Sequence, residues 1–230
     1  MNYAALSAAI QAYTENTEAD FVANIPVFVT QAEQRIYNSV QFPSIRKNVY
    51  GQLTADNKYL QCPTDFLAVY SIAVVTDVTG VDMNTGTYEY LLNKDVNFIR
   101  QAYPTPNDTG VPKYYALFGP AVSGVTISDE LTFMLGPTPN SNYWTELHYY
   151  YYPESITTAA DGRTWLGDNF DTVLLYGSLV EAYTYMKGEQ DMMALYNGKY
   201  QEALALAKRL GDGMERQDAY RSGQYRQAVT

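Results

Sequence analysis

One cysteine and one histidine are all that this 230-residue chain offers to thiol or imidazole chemistry. A lone Cys62 excludes an internal disulfide framework and a cysteine-based zinc cluster. A lone His148 removes most metal and general-base schemes at once. Charge is scarce: 17% of residues, against about 25% in an average globular domain. What charge there is leans acidic, 25 Asp+Glu against 15 Lys+Arg, a formal net of −10. No Lys/Arg run is present to neutralise phosphates, so tight groove binding of nucleic acid is not expected. Long hydrophobic runs are missing as well. Phe66–Val75 is the longest and is broken by Ser71, whereas a membrane-spanning helix needs roughly 18–20 apolar residues. Met1–Leu6 carries no basic n-region of a secretory signal. The expectation is a soluble protein made in the cytoplasm, with no membrane partner.

What the chain has in plenty is tyrosine, 23 residues or a tenth of its length. Tyr is an amphipathic contact residue, common where one protein surface meets another. At about 150 residues per domain, the length predicts one large domain or two small ones. That is enough for a core without staples.

Apolar periodicity divides the chain into helix, strands and helix. Leu6, Ala9, Ile10 and Tyr13 recur at three and four, as do Ile25, Phe28, Val29, Ala32, Ile36 and Val40. Thr17 and Asp20 resemble a capping box. Pro26 either opens a new helix after Asn24 or kinks a longer one, and Pro43 closes the segment. From about Val49 to Tyr152 the period becomes two, and Gly, Pro, Asn, Asp and Thr become frequent. Asp56-Asn57-Lys58 reads as a hairpin turn between strands 49–54 and 58–62. Further strands are expected at 66–75, 87–92, 114–118 and 131–135, and at 144–152 with Trp144, Glu146, His148 and Tyr150 on one face. Residues 102–112, with three prolines, read as a long loop. Helices resume with Phe170, Val173, Leu174, Gly177, Val180 and Thr184, capped by Asp168 or Asn169. A last stripe, Met193, Tyr196, Tyr200, Ala203, Ala207 and Leu210, is expected to stop at Gly211.

The fold class expected is therefore α+β. Residues 1–45 and 160–210 form a helical bundle, because neither terminal pair can bury its stripe alone. An antiparallel sandwich or barrel-like domain over 46–159 is inserted between them. Residues 211–230 form an extended C-terminal arm. No apolar period survives there, and its three acids balance its three arginines. Such a segment is idle or orders on a partner.

Catalytic chemistry does not assemble from these residues. A Cys62–His148 dyad is conceivable, but a buried small cysteine and a His packed among aromatics are the default readings. Asp82-Met83-Asn84-Thr85-Gly86 begins like a calcium loop, yet the Gly falls one place early and the twelfth position is Asn93. Glu146 with Asp129 or Glu130 could mimic a glycosidase pair. The surrounding Trp144 and Tyr149–Tyr152 could equally stack sugars in a carbohydrate- or receptor-binding module. No phosphate-cradling glycine motif occurs. No cofactor is expected, and the chain is not read as an enzyme.

The order of features resembles the head-to-tail adaptors of tailed bacteriophages. The stretches that carry the resemblance are Thr30–Ile36, Pro63-Thr64-Asp65-Phe66-Leu67, Gly110–Leu117, Leu135–Pro139, Leu147–Pro153, and Trp165-Leu166 before Leu174–Leu179. The resemblance implies a structural virion protein at the head–tail junction. It implies a ring of identical copies, expected as a dodecamer, between the portal and a tail, nozzle or neck protein, with DNA only passing through its lumen. It further implies that the arm docks on the portal. Arg216, Arg221 and Arg226 would supply charged hydrogen bonds there, and Tyr220 and Tyr225 aromatic anchors.

Overall fold

The stripe spacing of the first forty residues produces two helices, α1 (Tyr3–Thr14) and α2 (Ala19–Ser39). They belong to a computed structural model that describes residues 1–80, 82–105, 107–123 and 126–216, with the side chains of 120–130 and 212–216 excepted. Ten strands follow among these residues: β1 (Arg46–Gln52), β2 (Tyr59–Gln61), β3 (Ala68–Thr76), β4 (Thr87–Tyr90), β5 (Leu92–Asn93), β6 (Thr109–Gly110), β7 (Tyr114–Ser123), β8 (Thr126–Gly136), β9 (Thr138–Pro139) and β10 (Trp144–Tyr150). A short helix, α3 (Val96–Ala102), lies between β5 and β6. The chain then returns to helix with α4 (Trp165–Asn169), α5 (Asp171–Met186) and α6 (Gln190–Arg216). The whole is α+β. It divides into two compact units: Met1–Ile45 with the residues from Tyr152 onward, and Arg46–Tyr151.

In the helical unit, Asn2 caps α1 by accepting from the Ala5 N–H at 2.9 Å. All six residues of the α2 stripe, Ile25 to Val40, are buried. Pro26 lies inside one 21-residue helix rather than opening a new one. The Thr17–Asp20 capping box does not form, because Glu18 takes the cap position and its own N–H donates to the Asn16 side chain at 2.9 Å. Asp168 and Asn169 do not cap α5. They belong to α4, whose cap is Thr164, and Asp168 is drawn into an ion pair with Arg163 at 3.1 Å. α5 begins instead at Asp171, with Phe170 at the cap position and no side-chain cap.

α6 buries Tyr196, Tyr200, Leu204 and Ala207. The apolar face is therefore rotated slightly from the expected stripe, and Leu210 is exposed. The expected stop at Gly211 is absent. The helix continues to Arg216 because the glycine answers a packing need: a Cβ there would come within 3.0 Å of Val40 Cγ1 and 3.1 Å of the Gln41 carbonyl. Residues 211–216 are thus helix and not extended arm, and residues 217–230 lie outside the described set. Gly177 marks the convergence of α2, α5 and α6, where a Cβ would sit 3.2 Å from Ala32 and 3.1 Å from the Tyr200 ring. Residues 152–159 belong with these helices. Glu33, buried on α2, accepts from the Ile156 N–H at 3.0 Å and holds that segment down.

The β unit is two open four-stranded sheets, ordered β1-β10-β3-β4 and β2-β8-β7-β5, with a small β6-β9 pair. They face each other across a core of Ile72, Val74, Leu147 and Tyr149 from the first sheet and Tyr115, Phe133 and Leu135 from the second. Most pairings are antiparallel, but β5 with β7 and β6 with β9 are parallel. The expected hairpin across Asp56-Asn57 is not one. β1 pairs with β10 and β2 with β8, so the chain changes sheets at that turn. It changes sheets again at Leu91, splitting the expected 87–92 strand into β4 and β5. Part of the long 102–112 loop is also replaced, since α3 ends at Ala102 and β6 pairs with β9.

Candidate functional site

Partners directly opposite in antiparallel strands share a face. The register pairs Arg46 with Tyr150, Asn48 with His148, Tyr50 with Glu146 and Gln52 with Trp144. It also pairs Glu146 with Ala73 and Ala73 with Tyr90. These residues form the outer face of the β1-β10-β3-β4 sheet, and Leu147 and Tyr149 point the other way into the core. A register shift between His148 and Tyr149 brings Tyr70 against His148, ring centroids 4.8 Å apart. The Arg46 guanidinium lies 4.8 Å from the Tyr70 ring centroid. Asn48 donates to Glu146 at 2.5 Å. Tyr50 and Tyr90 are 49% and 65% exposed.

Electrostatics on this face are mild. The hydrogen bond and charge of Glu146 raise the Tyr50 phenol above its ordinary value, with Tyr88 adding to the effect. Partial burial lowers His148, the nearby Arg46 lowers it further, and Glu146 opposes both. At neutral pH this is a neutral imidazole packed against an aromatic ring.

The candidate catalytic pairs are not brought together. Cys62 lies in the core between the sheets, its thiol pushed by burial up to about 12, while His148 is on the outer face. Glu146 belongs to β10 and residues 129 and 130 to β8, which are in different sheets. Asp82 accepts from the Asn84 N–H at 3.0 Å and so closes a turn. Among the described residues, no group of three or more His, Cys, Asp and Glu is placed to hold a metal ion. No helix among them is long and apolar enough to cross a membrane. An open cleft of about 680 Å³ is lined by Glu89, Tyr103, Asp108, Val111, Lys113 and Pro137 and carries mixed charge.

One arrangement escaped sequence reasoning. The Tyr149 hydroxyl donates to Asp65 Oδ1 at 2.7 Å, and Lys47 donates to Asp65 Oδ2 at 2.8 Å. Burial first, then the Asp65 hydrogen bond and charge, push the Tyr149 phenol up to about 12. For Asp65 burial works in the raising direction, but the hydrogen bonds from Lys47 and Tyr149 prevail and hold it below its ordinary value. Tyr149 is therefore committed to the fold and does not join a sugar-stacking run with its neighbours. The signal was the Asp of Pro63-Thr64-Asp65, legible only once β10 was known to end beside it. Of the five arm residues, Arg216 is the last of α6. Tyr220, Arg221, Tyr225 and Arg226 lie outside the described residues.

A family model described as SU10 adaptor protein matches residues 1–227. No curated protein matches the chain.

Proposed function

The chain belongs to the SU10 adaptor protein family of structural phage head–tail adaptors, and on that footing we propose that it forms a ring between the portal and the next tail component. The observation that carries this reading is the extent of the match. It runs through both units and past the end of α6 to residue 227, so the terminal segment belongs to the family pattern. The helical unit supplies the body of each copy. The sheet face bearing Tyr50, Tyr90, Trp144 and His148 supplies a contact surface for a neighbour or tail-side partner. Residues 217–230, with Tyr220, Arg221, Tyr225 and Arg226 and with Arg216 at the helix end, dock on the portal. Weak contacts per copy then sum over the ring to a durable joint. The acidic excess of ten charges suits a lumen through which DNA slides without sticking.

The test is co-sedimentation of the purified chain with portal-bearing capsids, beside a version ending at Arg216. Saturable binding by the full chain alone is expected, and Arg221→Glu should weaken it while leaving the fold intact. Equal binding by the shortened chain would remove the arm from the mechanism. A second reading, a carbohydrate- or receptor-binding module, draws on the same exposed Tyr and Trp face. It predicts sugar-induced quenching of Trp144 fluorescence, lost in Tyr50→Ala.

A further inference from the structure

The β1-β10-β3-β4 sheet has two edges, and no strand among the described residues pairs with either. The other sheet ends in β2 and β5, strands of three and two residues, and brevity is one way in which an edge is kept from pairing. β1 has seven residues, an unbroken register and, over Asn48–Gln52, neither proline nor charge. β4 has four residues, with Glu89 its one charge. In an antiparallel pair, residues that exchange main-chain hydrogen bonds alternate with residues that do not. The Leu53 N–H donates to the Tyr143 carbonyl at 2.8 Å, and the Leu91 N–H to the Ile72 carbonyl at 2.9 Å. Counted back from these along the two registers, Gly51, Val49 and Lys47 bond to β10, and Glu89 and Thr87 bond to β3. The N–H and C=O groups of Asn48, Tyr50 and Gln52 therefore point out of one edge, and those of Tyr88 and Tyr90 out of the other. The Tyr50 side chain hydrogen-bonds with Glu146 and Tyr88, so these two tyrosines lean across the outer face rather than over the edges.

We infer that these two edges pair with each other between copies, β4 of one copy adding to β1 of the next as an antiparallel strand. The inference rests on the ring reading and assigns its lateral contact. Direction is the first feature that selects a second copy. Every neighbouring pair in this sheet of four is antiparallel, so β1 and β4 run in opposite directions. Two copies set side by side in the same orientation therefore bring β4 antiparallel to β1. The pleat is the second. Asn48, Tyr50 and Gln52 stand on the outer face, and so do Tyr88 and Tyr90, opposite Val75 and Ala73. Tyr90 and Tyr88 can thus fall opposite Asn48 and Tyr50, or opposite Tyr50 and Gln52, with both outer faces on one side. The third is that this pairing uses both edges of every copy. Two β4 edges meeting through Tyr88 and Tyr90 would set Glu89 opposite Glu89, and like charges directly opposite repel. Two β1 edges meeting would leave both β4 edges open. The β4-to-β1 contact is heterologous, so it closes into a ring or grows into a filament. A closed ring leaves neither edge exposed.

The chain's single, buried thiol makes the test clean. The two registers set Glu89 opposite Val49 or Gly51, at positions that exchange no main-chain bond and lie within reach of a disulfide. Particles are assembled with Val49→Cys/Glu89→Cys, with Gly51→Cys/Glu89→Cys and with each single variant, then mildly oxidised and run without reductant. One of the two double variants is expected to give a ladder of covalent multimers, and each single variant monomer only. Dimers from a single variant would mean that an edge pairs with its own kind and would overturn the inference. Monomers from both double variants, in particles that hold several copies per junction, would overturn it too while leaving the ring standing. Particles holding one copy per junction would overturn both. Proline supplies a second readout, because Tyr50 takes part in either register. Tyr50→Pro removes an N–H that the isolated fold does not use, so its thermal melt should stay close to the parent's. Its incorporation into portal-bearing capsids should fall roughly tenfold or more, the scale of one main-chain bond lost with its partner left unsatisfied. Tyr50→Ala keeps the N–H and should be incorporated like the parent. Normal incorporation of Tyr50→Pro, or an equal loss in Tyr50→Ala, would overturn the strand pairing.

Discussion

The two outer faces of the β unit received different treatment. On the β2-β8-β7-β5 sheet, α3 lies over the outer surface, and Ile99 is buried with Ala116 and Met134. Tyr114 and Phe118 complete that cover, Tyr114 standing 5.4 Å from Phe98. On the β1-β10-β3-β4 sheet no helix of the unit does the same among the described residues, and Tyr50, Tyr70 and Tyr90 remain exposed. Both surfaces are aromatic. What distinguishes them is what stands between the rings. The covered face offers small and aliphatic residues that a helix can seat upon. The open face intersperses Asn48, Glu146 and His148, which would be costly to bury without partners. One face is covered by a helix of its own unit and the other is left exposed, and that difference cannot be read from aromatic content alone.

Breaking the covered face should have the largest effect. Ile99→Ala is expected to destabilise the protein by about 2–5 kcal/mol, the cost of a buried aliphatic truncation, seen as a lower urea midpoint. A shift of a few tenths would mean that α3 is an ornament. The comparison sharpens within β10, whose inner side holds Tyr149 and outer side His148. Tyr149→Phe should cost about 1.5–3 kcal/mol, because it removes a hydrogen bond to an ionised carboxylate. The Asp65 carboxyl should titrate nearer its ordinary value in the variant, which NMR titration would report. On the open face, Tyr90→Ser should change stability by no more than about 0.5 kcal/mol while reducing association with the surface's partner. A large loss of stability would reclassify that face as core.

The smallest effect belongs to His148→Gln and depends on pH. The folded-state value of His148 lies below the ordinary 6.5. Its neutral form therefore adds stability that is present above 6.5 and lost as pH falls through the lowered value. The variant should match the parent at pH 8 and lose less stability on acidification, as thermal melts across that window would show. An identical acid profile would place the titration elsewhere.

Much of the helical unit was legible in advance, since Ile25, Phe28, Val29, Ala32, Ile36 and Val40 were read as one stripe and all are buried. The alternation of β10 was legible for the same reason: a two-residue period survives whatever the strand pairs with. The errors cluster where a local signal has two physical uses. Gly211 looked like a stop and is a close contact with Val40. Asp56-Asn57 looked like a hairpin and turns the chain between sheets. Asp168 looked like a cap and is claimed by Arg163. The α3 cover was missed because seven residues are too few to show a period. The contact surfaces were only partly legible, because exposure depends on which faces the fold leaves over.

By itself, then, the sequence determined the helical ends, the β middle, the acidic and tyrosine-rich character, and a single buried thiol, since composition and period are properties of neighbouring residues. Only the tertiary structure decided which sheet each strand joined and which aromatic face was covered. It alone set Lys47 and Tyr149 on Asp65 and left the leucines of α6 facing outward. Those outcomes depend on register and packing between residues far apart in the chain, and no local pattern encodes them.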